Sequence, residues 1–185
     1  AVNGTDNFYE MPQNVLRTNL LSTMNLLEWA SNKNCGKIVF TSSAEAYAGT
    51  IATNLNSEDL IPTPEEIPLC IDDVMNPRHS YGGSKLVGEL LIINYCRSKS
   101  IRWSIARVHN IYGPRDGVEH VIPKLCDRLL RSENPLKLFG GYETRAFCYV
   151  EDCADALHKI GEETRTDSEI FHVGSMEEIS IKDMA

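Results

Sequence analysis

Residues 37–43 read KIVFTSS: a lysine, three consecutive apolar residues, then three hydroxyl side chains. A short apolar run with no polar residue alternating through it suits a strand buried on both faces. Such strands are parallel strands with helices packed above and below, so this stretch predicts an α/β sheet. The hydroxyl run that closes it predicts a polar rim at the strand's carboxyl end.

The flanking sequence agrees. Residues 12–31, PQNVLRTNLLSTMNLLEWAS, open on a proline suited to the first helical position, and Val15, Leu16, Leu20, Met24, Leu27 and Ala30 recur near a 3.6 period. Asn34-Cys35-Gly36 ends that helix. Residues 50–77, with four prolines, read as a long loop. A helix starts at His79 or Ser80 and runs to about Ser98, with Leu86, Leu90, Ile93 and Cys96 on one face. IRWSIARV (101–108) is the next strand, NIYGPRDG a turn-rich loop and VIPKLCDRLLR a helix. LKLFG (136–140) and RAFCYV (145–150) read as short strands around a Gly-Gly-Tyr turn. EDCADALHKIGEE carries acids in its first turn, as the helix dipole favours. EIFHVGS is the last strand, and IKDMA begins a further helix. The alternation predicts parallel βαβ units and a doubly wound sheet.

The net charge of −8 argues against a nucleic-acid or acidic-membrane surface, because phosphates attract basic patches. No apolar run approaches the roughly 20 residues that span a bilayer. Six cysteines show no C-x-x-C, so neither a metal site nor a disulfide framework is expected, and a reducing cytoplasm is the default.

In sheets of this class, ligands bind beyond the carboxyl ends of the strands. KIVFTSS delivers Ser42, Ser43 and Glu45 to that rim, and ARVHNIYGPR delivers His109 and Asn110. The intervening segment, HSYGGSKLVGEL (79–90), places Tyr81 and Lys85 one helical turn apart. Taken alone, that spacing suits surface decoration as well as a proton-transfer pair. Lowering a phenol from about 10 to about 7 takes roughly 4 kcal/mol. A cation about 4 Å away at an effective dielectric of about 20 supplies that much. Lys85 is therefore expected to make Tyr81 acidic, with Ser43 sharing the proton, while a cofactor takes hydride from a substrate alcohol.

TSSAEAYAG, SYGGSK, ARVHNIYGPR and LKLFGGYETRAFCYVEDCADAL, in that order, together with the opening AVNGTDNFYEMPQNVLRTNLLSTMNLLEWA, resemble the extended short-chain dehydrogenase/reductase family. More narrowly, they resemble its NAD-dependent nucleotide-sugar epimerases and dehydratases. The resemblance implies a Rossmann-like doubly wound parallel sheet, incomplete at the N-terminus, with part of a small substrate-binding domain. Residues 1–110 would then carry the cofactor-binding portion and the catalytic residues. Residues 111–185 would be mostly substrate-binding, with segments returning to the sheet. Tyr81 would be the acid/base, Lys85 would hold the nicotinamide ribose, and Ser43 would complete the triad. Asn19, Ser42 and Val108 would shape the cofactor site. Asn110 and Arg145 would hold the substrate diphosphate, and His120, Val121 and Phe139 would line the base pocket. The expected ligands are NAD, with NADP also open, and a nucleotide sugar. A homodimer is expected through the helix carrying Tyr81 and the one before it, with Leu20, Leu21, Leu26, Leu91 and Ile92 serving either that interface or the core.

Two departures shape the functional expectation. No G-x-x-G-x-x-G occurs, so the chain reads as a piece of a longer enzyme, expected by itself to bind NAD poorly and to be inactive. In the triplet Ser43-Ala44-Glu45, the acid donor used by the family's 4,6-dehydratases is replaced by alanine, while the base position is kept. That places 4-epimerisation first and leaves C5 chemistry through Glu45 (decarboxylation, 3,5-epimerisation, 4,6-dehydration) as the alternative. A redox-inert module that binds dinucleotide or nucleotide sugar is the reading from another class. His109 is open between ligand and packing, His120, His158 and His172 read as packing or surface histidines outside the resemblance, and the acids around 58–73 as a solvated face.

Overall fold

A computed structural model describes residues 1–54, 60–138 and 140–185. Its centre is a three-stranded parallel sheet in which β1 (Lys37–Ser43) pairs with β2 (Arg102–Val108), and β2 with β6 (Glu169–Val173). The register sets Ile38 opposite Trp103, Ser42 opposite Arg107 and Ser43 opposite Val108. Arg107 in turn sits opposite His172.

Side chains alternate across the sheet as a two-residue period demands. Ile38, Trp103 and Ile105 pack on one face against Leu27 and Ala30 of α2 (Pro12–Asn32) and Ile92 and Cys96 of α4 (Ser80–Lys99). Val39, Ala106, Val108 and Val173 pack on the other against Cys153, Ala156, Leu157 and Ile160 of α6 (Val150–Glu162). The sheet is therefore covered on both faces, as the KIVFTSS run predicts. Leu27, Ile92 and Ile105 are sealed from solvent, each contributing about 1.5–3 kcal/mol.

Lys37 opens β1 with a buried ammonium that donates to Ile160 O (2.7 Å), Glu163 O (3.0 Å) and Thr166 Oγ1 (2.7 Å), and pairs with Asp167 (2.8 Å). It thereby caps the carboxyl end of α6 and ties it to the sheet. Lys37→Met leaves the two carbonyls to share the Thr166 hydroxyl and removes the cation that Asp167 pairs with. The expected loss is on the order of 2 kcal/mol, read as a lower urea midpoint with unchanged slope.

The remaining strands depart from expectation. RAFCYV divides at Phe147 into β4 (Thr144–Ala146) and β5 (Cys148–Tyr149), which join different sheets. β5 pairs in parallel with β3 (Ile111–Tyr112), while β4 pairs antiparallel with β7 (Glu178–Ser180), a strand the sequence pattern does not announce. The described residues of LKLFG are irregular, and Phe139 lies outside the described residues. The turn that follows is closed by Glu143 N–H on Gly140 O. It is also bound by the N–H groups of Ile181 and Lys182 at the start of α7 (Ile181–Met184), so its partners come from the chain's end. The segment read as a loop from residue 50 begins inside a short helix, α3 (Ala48–Thr53), and α1 (Thr5–Glu10) precedes α2. α5 (Val121–Leu130) forms where expected. No helix among the described residues is long and apolar enough to cross a membrane.

Candidate active site

A cleft of about 1070 Å³ opens beyond the carboxyl ends of β1 and β2. Ser43, Glu45, Tyr81, Val108, Asn110, His120, Val121 and Arg145 all line it. Eight side chains named from sequence thus converge on one cavity, drawn from the ends of β1 and β2, from the first turns of α4 and α5, and from β4.

Tyr81 is brought there by the close approach of α4 to the turn after β1. A methyl group at Gly82 would lie 2.4 Å from Glu45 O, so only glycine admits this packing. The Tyr81 ring stacks on Phe8 of α1 (centroids 5.3 Å, planes 15° apart), and the Arg78 guanidinium lies 5.3 Å over the other aromatic ring, that of Phe8. Burial pushes the Tyr81 phenol above its usual pKa; hydrogen bonding from Ser43 opposes this and the Glu45 charge adds to it. The expectation that Lys85 makes this phenol acidic is therefore corrected. The Lys85 ammonium donates to Thr41 O at 2.6 Å and lies 5.5 Å from the centre of the Tyr81 ring, and burial depresses its own pKa against the charge of Glu89. Burial, rather than the cation one turn on, sets the direction for the phenol.

Glu45 is paired with Arg78 at 2.7 Å. Ser42 is buried, and its hydroxyl donates to Glu89 Oε1 at 2.5 Å, so it braces α4 rather than facing the cleft. Asn19 is likewise occupied: its Nδ2 donates to Ser84 Oγ (3.0 Å) and its Oδ1 accepts from Val2 N–H (2.7 Å), joining α2, α4 and the chain's start. Asn110 adopts φ +40° and donates to Ala146 O at 3.1 Å, which ties the end of β2 to β4. Arg145 is exposed and paired with Glu143 at 2.9 Å. His120 Nδ1 lies 2.6 Å from Asp116 Oδ1. The Tyr81 hydroxyl and the Lys85 ammonium are donors of the kind a ribose hydroxyl accepts, while of the chain's Gly82-Gly83 pair Gly82 is consumed by helix packing and Gly83 is not.

Sequence reasoning missed Arg78, Phe8, Glu89 and Arg107. Glu89 left a signal, since 81, 85 and 89 share one face of α4. The acids at 58–73 are not all solvated: Glu65 Oε1 accepts the N–H of His172 (3.1 Å), and Asp72 lies 3.1 Å from His79. Glu58 and Asp59 fall outside the described residues.

Below the rim, His109 and His172 lie with ring centres 5.0 Å apart, and His109 Nε2 is 3.1 Å from the Tyr47 hydroxyl. Burial, then the neighbouring His172, depress the His109 pKa to about 4, and burial lowers that of His172. An unfolded histidine titrates near 6.5. The unfolded chain therefore takes up protons first as pH falls, so this stability is intact above about pH 6.5 and lost towards about pH 4. About 2 kcal/mol is expected to disappear over that window, after discounting for the partial exposure of His109. Urea midpoints measured from pH 7.5 to 4.5 should show it, and His109→Gln should flatten the slope.

Residues 1–174 match the sequence profile of the NAD dependent epimerase/dehydratase family. The chain is 34% identical over 169 residues to a provisionally named UDP-glucose 4-epimerase of Methanocaldococcus jannaschii, covering 90% of this chain and 50% of that protein. It is 31% identical over 189 residues to the UDP-N-acetyl-alpha-D-glucosaminuronate decarboxylase of Bacillus cytotoxicus, covering 100% and 55%. Among solved structures, the UDP-glucose 4-epimerase of Thermotoga maritima with UDP-glucose superposes with a TM-score of 0.81 at 27% identity, over 100% of this chain and 56% of that one. The chain spans about half the length of the curated relatives it matches.

Proposed function

Because the chain belongs to the NAD dependent epimerase/dehydratase family, we propose that the protein containing it is a nucleotide-sugar 4-epimerase. The observation that carries this reading is the placement of Tyr81, with Ser43 acting on its phenol and Lys85 one turn behind, at the wall of a cleft large enough for a nucleotide sugar. NAD, when bound, supplies the acceptor and later the donor of the hydride at the sugar carbon. Tyr81 takes the proton of the C4 hydroxyl and returns it after the ketone has been presented on its other face. Lys85 holds the ribose, and Ser43 carries the hydrogen bond that steadies the phenol. Asn110 and Arg145 meet the diphosphate, and His120 and Val121 the base.

The pairing of Glu45 with Arg78 favours C4 chemistry, because one oxygen of the carboxylate is already engaged by the guanidinium. Glu45 nevertheless faces the same cleft as Tyr81, which supports decarboxylation as the second reading. In this proposal residues 1–110 form the cofactor side and 111–185 mostly the substrate side.

The protein would work as a cytoplasmic homodimer, through the exposed apolar side chains of α2 and α4. Leu21 and Leu26 stand out from the surface and suit that interface, whereas Ile92 lies in the core and Leu91 packs against it. All six cysteines are unpaired, as a reducing compartment allows.

Incubating the intact protein with UDP-, GDP- and dTDP-sugars and NAD, with products read by NMR and mass, tests the proposal. A C4 epimer of unchanged mass is expected. Release of carbon dioxide from a uronate would transfer the assignment to decarboxylation, and tight binding without any turnover would make the protein a binding module.

A further inference from the structure

Glu89 is 2% exposed, an uncommon place for a carboxylate. It is held by three donors: Ser42 Oγ at 2.5 Å and Arg107 Nε at 2.9 Å on Oε1, and Arg107 Nη2 at 2.9 Å on Oε2. Arg107, equally buried, gives its remaining Nη1 to Glu65 O at 2.8 Å. This fork-to-fork pair clamps α4 to β1 and β2, directly below the rim. A buried ion pair is seldom worth more to stability than apolar residues of the same volume, so stability alone does not account for it.

Its neighbour along the helix suggests what it does. Lys85 lies one turn before Glu89, and its ammonium is also buried. That ammonium has three donors, and its hydrogen bond is to Thr41 O, with the Phe40 ring centre at 5.1 Å and that of Tyr81 at 5.5 Å. One carbonyl and two ring faces replace little of the water lost. The charged groups around Lys85 are Glu89 on its own helix and, behind that carboxylate, Arg107 from β2. Tyr81 stands a turn earlier, with Glu45 beyond it in the turn after β1. Of these groups it is the Glu89 carboxylate, one helical turn along α4, whose charge favours the ammonium of Lys85.

We infer that Glu89 is a positioning residue for the acid/base pair, fixing α4 in register and keeping Lys85 protonated behind Tyr81. This rests on the reading of Tyr81 and Lys85 given above, but its test needs no turnover. The charge of Glu89 is expected to strengthen proton binding at Lys85 about tenfold, the scale of one partly compensated charge across a helical turn.

The measurement is the NMR titration of the Lys85 Cε resonance in the intact protein, identified by its absence in Lys85→Met. Glu89→Gln alone strands the Arg107 charge and threatens the fold. The decisive variant is therefore Glu89→Gln/Arg107→Met, which removes both charges and keeps the volume. In that double variant the Lys85 midpoint is expected to fall by about one pH unit while thermal stability stays near that of the parent. Glu89→Asp, which keeps the charge, should hold the midpoint close to the parent value. An unmoved Lys85 midpoint in the folded double variant overturns the inference, leaving Glu89 a packing element. So does a parent protein in which Lys85 is already neutral at pH 7, whatever the variants do. Absence of epimerase activity, by contrast, would strike only the proposed reaction and leave this titration standing.

Discussion

Alanine at position 82 is expected to lower the thermal midpoint by roughly 6 °C, equivalent to about 2 kcal/mol in a domain of this size. It should reduce turnover further than the lost stability explains. Two effects compete. Alanine is the better helix former, by about 1 kcal/mol over glycine. Against this, its methyl group would sit 2.4 Å from Glu45 O and 3.1 Å from Glu45 C, and a backbone cannot rotate out of the way as a side chain can. Forcing α4 back from the turn after β1 costs about 1–3 kcal/mol, at times more. The clash wins, and the same displacement carries Tyr81 away from Ser43. Gly83 provides the internal control. Its added methyl would meet only Ile71 Cδ1, at 4.0 Å, so Gly83→Ala should be neutral or stabilising by up to about 1 kcal/mol. A Gly82→Ala variant as stable and active as the parent would mean that α4 does not press on that turn.

For Tyr81→Phe in the intact protein, the expected result is a fall in kcat of about 10²- to 10⁴-fold with substrate binding almost unchanged. The ring would keep its stack on Phe8, so the fold has no reason to suffer. What disappears is the oxygen that Ser43 acts on and that stands at the cleft wall. Binding measured by calorimetry, alongside single-turnover rates, separates the two effects. Equal rates for the variant and the parent would remove Tyr81 from the chemistry and with it the proposed epimerisation.

The layered fold was legible in the residues themselves. KIVFTSS is apolar without alternation, IRWSIARV follows a helix of matching length, and each must be covered on both faces, so helices had to lie above and below. The rim was legible for the same reason, since strand ends and the helix starts that follow them are neighbours in any parallel sheet. Partners formed by segments distant in the chain were not legible. Two-residue strands such as β3 and β5 carry no periodicity, and β4 is claimed by Glu178–Ser180 because the turn at 140–143 finds its hydrogen-bond partners in α7. Nor could spacing alone set the state of the Tyr81 phenol. A lysine four residues on predicts a lowered pKa, yet burial and the nearby Glu45 raise it. Local sequence determined which groups stand one turn apart. Only the tertiary structure decided how much water each one lost, that Ser42 serves Glu89 and Ser43 serves Tyr81, and that Gly82 is there for Glu45, because desolvation and close contact depend on what the rest of the chain brings alongside.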